Sequence, residues 1–90
     1  MTGATLEFTV HIWKESSTFI AFALPIEVAS CGASPEAARA AVNEAVQGFV
    51  ESARAHGTLD QVLDEAGYRN EEGRWVAPEW IGVEQQSVAV

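Results

Sequence analysis

The first part of the chain alternates between apolar and polar positions, which predicts a β-strand. The apolar set is Leu6, Phe8, Val10 and Ile12, and the residues between and after them are Glu7, Thr9, His11 and Trp13. A period of two is typical of a strand that buries one face and leaves the other open. Residues 14–17 are polar and predict a hairpin turn at the end of this strand.

The next segment, residues 19–24, is apolar throughout and predicts a second strand. A strand without alternation usually lies in the middle of a sheet or is covered on both faces. Pro25 ends this strand, and residues 26–31 predict a third strand that closes at Gly32. The sequence offers one substantial helix to cover the second strand, so we expect a second copy of the protein to cover its other face.

Ser34, Pro35 and Glu36 have the sequence of a helix start, with Ser34 as N-cap and Pro35 in the first helical position. An apolar stripe at helical spacing follows: Ala38, Ala41, Val42, Ala45, Val46, Phe49, Val50 and Ala53. Gly57 is the expected stop. The pattern therefore predicts a helix over residues 35–55. The face expected to pack on the sheet consists of Ala41, Val42, Ala45, Val46 and Phe49.

A second, short helix is predicted from Thr58 to Gly67. Thr58 and Gln61 have the spacing of a capping box. Residues 69–73 are polar and predict a turn, and residues 74–76 and 81–90 predict extended segments around Pro78.

Together these elements predict one α+β domain over residues 1–90 in the order β-β-β-α-α-β. A three-stranded antiparallel sheet carries one long helix, followed by a short second helix and a C-terminal strand. Residues 69–90 form a C-terminal extension that we expect to serve in packing or oligomerisation.

The charge balance narrows the classes of partner. Thirteen acidic against five basic side chains give a formal net charge of −8. Such a field repels nucleic-acid phosphates, so direct nucleic-acid binding is disfavoured, and it attracts basic proteins. The alternative is that the charge only keeps the protein in solution.

The compartment follows from what the sequence lacks. Residues 1–6 show neither the basic segment nor the apolar run of a signal peptide, and no stretch has the apolar length of a membrane span. A single cysteine, Cys31, forms no internal disulfide. We expect a cytoplasmic protein that does not bind membranes.

The residues that usually carry chemistry are scattered along the chain. His11 is expected to be solvated on its strand, His56 to sit at a helix C-terminus, and Cys31 to be a small buried hydrophobe, and their spacing matches no zinc site or nucleophile pair. Asp60 and Asp64 lie on the face of the short helix opposite its apolar stripe, as solvated carboxylates do. We therefore predict no catalytic residues, no metal site and no cofactor.

The three tryptophans are harder to assign to a small core. Tryptophan completes cores but is also enriched at the centres of protein interfaces, and both interpretations stay open for Trp75 and Trp80. Six residues are candidates for a partner or oligomer interface: Trp13, Phe19, Phe22, Trp75, Trp80 and Val88.

Three short segments resemble the HicB-like antitoxin family, whose domain has a partial ribonuclease-H-like fold. They are residues 8–12, residues 18–25 ending in Leu-Pro, and residues 31–37, which open the helix with Cys-Gly-Ala-Ser-Pro-Glu-Ala. The resemblance covers about residues 6–50, and residues 67–68 and 75–78 are similar to the tail of standalone members. The Pro-Gly-Cys turn usual in the family is replaced by residues 25–28, and no DNA-binding segment follows within these 90 residues.

The resemblance implies an antitoxin that neutralises a small basic ribonuclease toxin by covering its active face. Glu7, Glu36 and Glu44 do not reproduce the metal-binding carboxylates of ribonuclease H, so the fold is expected without its chemistry. The alternative is a homo-oligomeric structural or regulatory domain with no toxin partner. A small hydrolase or nuclease is the third possibility.

Overall fold

The structure is a computed structural model that describes residues 4–90. It contains two three-stranded sheets and two helices, which confirms the predicted α+β class. In chain order the elements are β1 (Thr5–Leu6), β2 (Thr9–Glu15), β3 (Thr18–Leu24), β4 (Val28–Gly32), α1 (Pro35–Ala55), α2 (Leu59–Glu65), β5 (Arg69–Glu71) and β6 (Arg74–Val76).

The larger sheet is the predicted antiparallel meander β2-β3-β4. Its register places Ile12 opposite Ala21 and His11 opposite Phe22. Ile12 and Ala21 therefore face one side of the sheet, and His11 and Phe22 face the other. The hairpin turn is shorter than predicted. Lys14 pairs with Phe19 and continues the ladder, which leaves a two-residue turn at residues 16–17.

Helix α1 has the bounds that the sequence predicts because both of its ends are marked by local signals. The Ser34 hydroxyl accepts a hydrogen bond from the amide of Ala37 at 3.0 Å, and Pro35 opens the first turn. At the other end, His56 is the C-cap, and its Nδ1 lies 2.7 Å from the carbonyl oxygen of Ser52. The helix lies mainly on β4 and β3.

The first core forms between α1 and one face of the larger sheet. Its fully or almost fully buried residues are small: Ala21, Ala23, Ala38, Val42 and Val46. Phe49 was predicted to belong to this face, but it is only half-buried and lies outside the core. At this level of the helix Val46 and Val50 occupy the side that packs on the first core, and Ala53 beyond them is also buried.

The second sheet has the order β1-β6-β5, with β1 parallel and β5 antiparallel to β6. Leu6 therefore starts a separate sheet instead of the first strand of the meander. The predicted polar turn at residues 69–73 is a hairpin, in which Glu72 and Gly73 have φ of 55° and 86°. Two consecutive positive φ values match the backbone twist of paired strands.

The second core lies between this sheet and α2. It consists of Leu63, Tyr68 and Trp75, which are 1%, 3% and 9% exposed. The Tyr68 hydroxyl donates a hydrogen bond to the backbone carbonyl of Glu7, in the link between β1 and β2. Burial first, and the negative charge of Glu7 second, raise the pKa of Tyr68 to about 12.

The predicted capping box at the start of α2 is wrong. Thr58 is the N-cap residue, but its side chain makes no cap bond to α2. Its amide and hydroxyl instead donate to the carbonyl of Ala53 in α1, at 2.9 and 3.4 Å. Because only His56 and Gly57 separate α1 from Thr58, these groups satisfy the C-terminus of the first helix.

Residues 81–90, named the arm below, were predicted to be extended and form no strand with the rest of the described chain. All ten are exposed. The radius of gyration is 15.1 Å, against about 12 Å for a compact chain of this length, which agrees with a projecting segment. Between residues 4 and 90, no helix has the length and apolar character needed to cross a membrane.

Candidate interaction surface

The face of the larger sheet that points away from α1 is rich in apolar and aromatic residues. The pairing of β2, β3 and β4 places ten alternating residues on it, of which the polar three are Thr9, Glu15 and Thr18. The other seven are together named the outer face: His11, Trp13, Ile20, Phe22, Leu24, Ala29 and Cys31. No second layer of helix or sheet covers these residues in the part of the chain that the structure describes.

Trp13 is the largest side chain of the outer face and is 41% exposed. Its ring meets the edge of Phe22 in a T-shaped arrangement, with the centroids 6.3 Å apart. The indole Nε1 donates a 2.7 Å hydrogen bond to Glu15 Oε2. The polar atom of the indole is therefore satisfied within the chain, while its apolar ring stays open to a partner.

Trp80 covers one corner of the outer face. Its ring lies 4.8 Å from the His11 ring, and it lines a shallow cavity with Pro25, Pro78 and Glu79. Trp80 is still 46% exposed. His11, which we expected to be solvated, is half-buried beneath it.

The structure places four of the six predicted interface residues at or beyond this surface. Trp13 and Phe22 belong to the outer face, Trp80 lies against it, and Val88 is 84% exposed in the arm.

The other two predicted interface residues lie elsewhere. Phe19 lies on the same face of β3 as Ala21 and Ala23 and packs against the first core. Lys14 Nζ lies 5.7 Å from the centroid of its ring. Trp75 is buried in the second core. Both are corrected to core residues.

Five members of the outer face were not among the six predicted interface residues: His11, Ile20, Leu24, Ala29 and Cys31. Ile20 and Leu24 lie on the same face of β3 as Phe22. The pairing of β3 with β2, whose alternation is clear, was the signal that could have placed them there. Cys31, expected to be buried, is exposed. It lies on the outer strand β4, where its side chain points away from α1.

The acidic side chains lie mostly away from the outer face. Helix α2 carries Asp60, Asp64 and Glu65 within seven residues and contains no basic residue. The ion pairs of the described chain join Arg69 and Arg74 to Glu7 and Glu71 and leave the α2 carboxylates free of such pairs. Glu15 is the acidic residue next to Trp13.

The candidate chemical groups are not brought together. Cys31 lines up across the sheet with Ile20 and Trp13, whereas His11 lines up with Phe22 and Ala29. Strands β2 and β4 are two strand spacings apart, about 9.6 Å. Within residues 4–90, no three His, Cys, Asp or Glu side chains lie close enough to hold a metal ion. The outer face offers apolar and aromatic contact, and α2 offers negative charge.

Comparison of the chain with family models, with curated proteins and with solved structures finds no match.

Proposed function

We propose that this chain is a non-catalytic, cytoplasmic protein-binding domain of the HicB-like antitoxin type, which neutralises a small basic ribonuclease by covering its active face. The observation that carries the proposal is the exposed, unpaired set of carboxylates on α2, in a protein of net charge −8. A basic protein would complement this helix in charge, and the resemblance of residues 6–50 to the HicB-like family supplies the class of partner.

Electrostatics would act mainly on the encounter between the two proteins. Opposite net charges raise association rates above the range of about 10⁵–10⁶ M⁻¹s⁻¹ for neutral pairs, and salt screens this gain. Because the α2 carboxylates are exposed, they give their largest effect at low ionic strength. A proposed complex of this kind should therefore weaken as salt is added.

The scattered positions of the reactive side chains favour binding over catalysis. Hydrolysis needs a nucleophile or bound water, a base and a stabilising group within hydrogen-bond reach of one another. His11 and Cys31 lie on different outer strands of the sheet, and the α2 carboxylates lie on a third element. This arrangement gives no support to the hydrolase alternative.

The experiment needs a short basic protein encoded in a neighbouring reading frame, and a genomic neighbourhood without such a frame would count against the proposal. Calorimetric titration of that protein with the chain, at low and at physiological salt, measures the dissociation constant. The test variant combines Asp60→Asn, Asp64→Asn and Glu65→Gln. The matched control combines Glu27→Gln, Glu44→Gln and Glu51→Gln, which removes the same charge from exposed positions outside α2, the outer face and the arm.

We expect the α2 variant to weaken binding at low salt by about tenfold or more, and the control to weaken it by less than about threefold. Equal losses for the two variants would show that only the net charge matters. No heat of binding at low salt, with both proteins folded, would refute the proposal.

A second candidate function is a homo-oligomeric domain without a toxin partner. The open outer face and the exposed arm favour it. A genomic neighbourhood with no short basic reading frame would favour this candidate over the first.

A further inference from the structure

We infer that the arm pairs as a β-strand with a second copy of this chain, and that the outer faces of the two copies form the remainder of a reciprocal dimer contact. This inference goes beyond the proposed capture of a basic protein and does not rest on it. It follows from two surfaces of the chain that the rest of the described chain leaves open.

The arm has the composition of a strand but no strand partner. Ile81, Val83 and Val88 are 90%, 76% and 84% exposed, and Val90 is fully exposed. β-Branched residues of this kind favour paired, half-buried strands. The arm pairs with neither sheet of the described chain. A second chain would supply both the backbone hydrogen bonds and the apolar contacts.

The path of the chain indicates that the acceptor of the arm is an edge of the larger sheet, next to the outer face. Trp80, the residue before the arm, is held against His11 on that face. The arm therefore leaves its own domain beside the outer face. β2 and β4 are the outer strands of this sheet, so each presents one edge without a strand neighbour in the described sheet.

The size of the outer face shows why the dimer contact needs the arm as well. Seven residues of strand and three strand spacings give a sheet face of about 23 by 14 Å, or roughly 330 Å² of flat area. A specific interface buries about 800 Å² on each partner. The outer face alone falls short of this area. A ten-residue extended arm is about 33 Å long and supplies further contact on each copy.

The charge of the surface favours a second copy over a basic protein. On the side of the sheet that carries the outer face the one carboxylate is Glu15, which accepts the hydrogen bond of Trp13 Nε1, and the arm has one, Glu84, among its ten residues. A basic partner would therefore gain little attraction there, and two identical copies meet with little local repulsion despite a net charge of −8 each. In a two-fold dimer each copy gives one arm and receives one, so the contact closes on itself.

The first test is the mass of the purified chain alone, measured by light scattering and sedimentation at tens of micromolar. We expect about twice 9.7 kDa for the intact chain and the monomer mass for a chain truncated after Trp80. This truncation keeps β6, Trp75 and the contact of Trp80 with His11. Circular dichroism and a cooperative unfolding transition check that the shortened chain is folded.

Two double variants of the full chain separate apolar contact from added charge. Val83→Glu with Val88→Glu should convert the dimer to monomer. Gln85→Glu with Gln86→Glu adds the same charge to the same arm and should keep the dimer. Hydrogen exchange of residues 82–90 gives an independent readout, since we expect amide protection that disappears when the dimer is diluted to monomer.

A monomer mass for the intact chain at these concentrations would overturn the inference. A dimer that survives truncation after Trp80 would overturn the role of the arm. Both measurements use the purified chain without any basic protein, so their failure would leave the proposed capture of a basic partner standing, and failure of the calorimetric titration would leave the dimer standing.

Discussion

A Cβ placed on Gly32 would lie 2.7 Å from the amide nitrogen of Ala38 and 2.8 Å from the carbonyl carbon of Ala37. This glycine ends β4 just before α1 begins, and the missing side chain lets the first turn of the helix approach the strand closely. The contact atoms are mainly backbone, which cannot rotate away as the end of a side chain can. Gly32 therefore sets the distance between helix and sheet.

Gly32→Ala should lower the free energy of unfolding by about 1–3 kcal/mol, because the helix must shift away from the sheet. Gly48→Ala is the matched control. Gly48 lies inside α1, and a Cβ there would meet no atom within 4 Å. It should gain up to about 1 kcal/mol from helix propensity. Urea denaturation midpoints of the two variants measure both effects, and a neutral Gly32→Ala would show that the helix has room.

Tyr68 gives a pH signature because its folded pKa of about 12 exceeds the usual value of 10. The fold favours the protonated phenol. Its contribution to stability is therefore complete below pH 10 and is lost as the pH rises through 12. Tyr68→Phe removes this contribution and leaves the carbonyl of Glu7 without its donor, which should cost about 1–3 kcal/mol at neutral pH.

Unfolding of the two proteins at pH 8, 10 and 12 tests the Tyr68 assignment. The stability advantage of the native protein over the Tyr68→Phe variant should shrink between pH 10 and 12. An advantage that stays constant over this range would show that the Tyr68 hydroxyl ionises as readily in the folded chain as in the unfolded one.

At the scale of elements, the first and last residues of helix α1 were predictable from the sequence. Its N-cap, first-turn proline and terminal glycine are local signals, and they act without reference to the rest of the fold. The degree of burial along the helix was not predictable in the same way. It depends on which apolar side chains of the stripe face the sheet after folding, and the pattern did not distinguish Phe49 from Val50, of which only Val50 packs against the first core.

Leu63 and Phe49 test the revised core. Leu63→Ala should cost about 2–5 kcal/mol, because the side chain is 1% exposed between α2 and the second sheet. Phe49→Ala should cost less, since Phe49 is half-buried and lies outside both cores. Chemical denaturation of the two variants gives the comparison. A larger loss for Phe49→Ala would restore the sequence-based assignment.

The second sheet shows where sequence patterns stop being informative. β5 has three exposed polar residues, and β1 has two residues, so neither offers an alternation long enough to detect. The Glu72-Gly73 pair was the available hairpin signal. The parallel pairing of β1 with β6 joins segments about 70 residues apart, and no local pattern specifies it.

At the scale of the whole molecule, the candidate surface was predictable in part. Alternation in β2 placed Trp13 on the face away from the core, and the structure agrees. β3 is apolar on both faces, so its pattern did not indicate which residues face α1. Phe19 was therefore assigned with Phe22, although they face opposite sides of the sheet. Trp75 was left open between core and interface because composition alone cannot distinguish them.

The two open surfaces of the molecule, helix α2 and the outer face with the arm, differ in their charge. The exposed carboxylates of α2 suit a basic protein, whereas the nearly uncharged outer face and arm suit a second copy. If both proposals hold, a dimer would present two acidic helices and could hold two basic partners at once. Each partner would then be neutralised without competing with the contact between the copies.

The most direct measurement of the proposed function is the effect of the chain on RNA cleavage by a short basic protein encoded in a neighbouring reading frame. We predict that cleavage falls to background at one chain per basic protein, and that the chain alone cleaves no RNA with magnesium or manganese. Glu7→Gln and Glu36→Gln variants control for contaminating nuclease. Cleavage that persists at excess chain, or cleavage by the chain itself that either variant abolishes, would contradict a non-catalytic antitoxin.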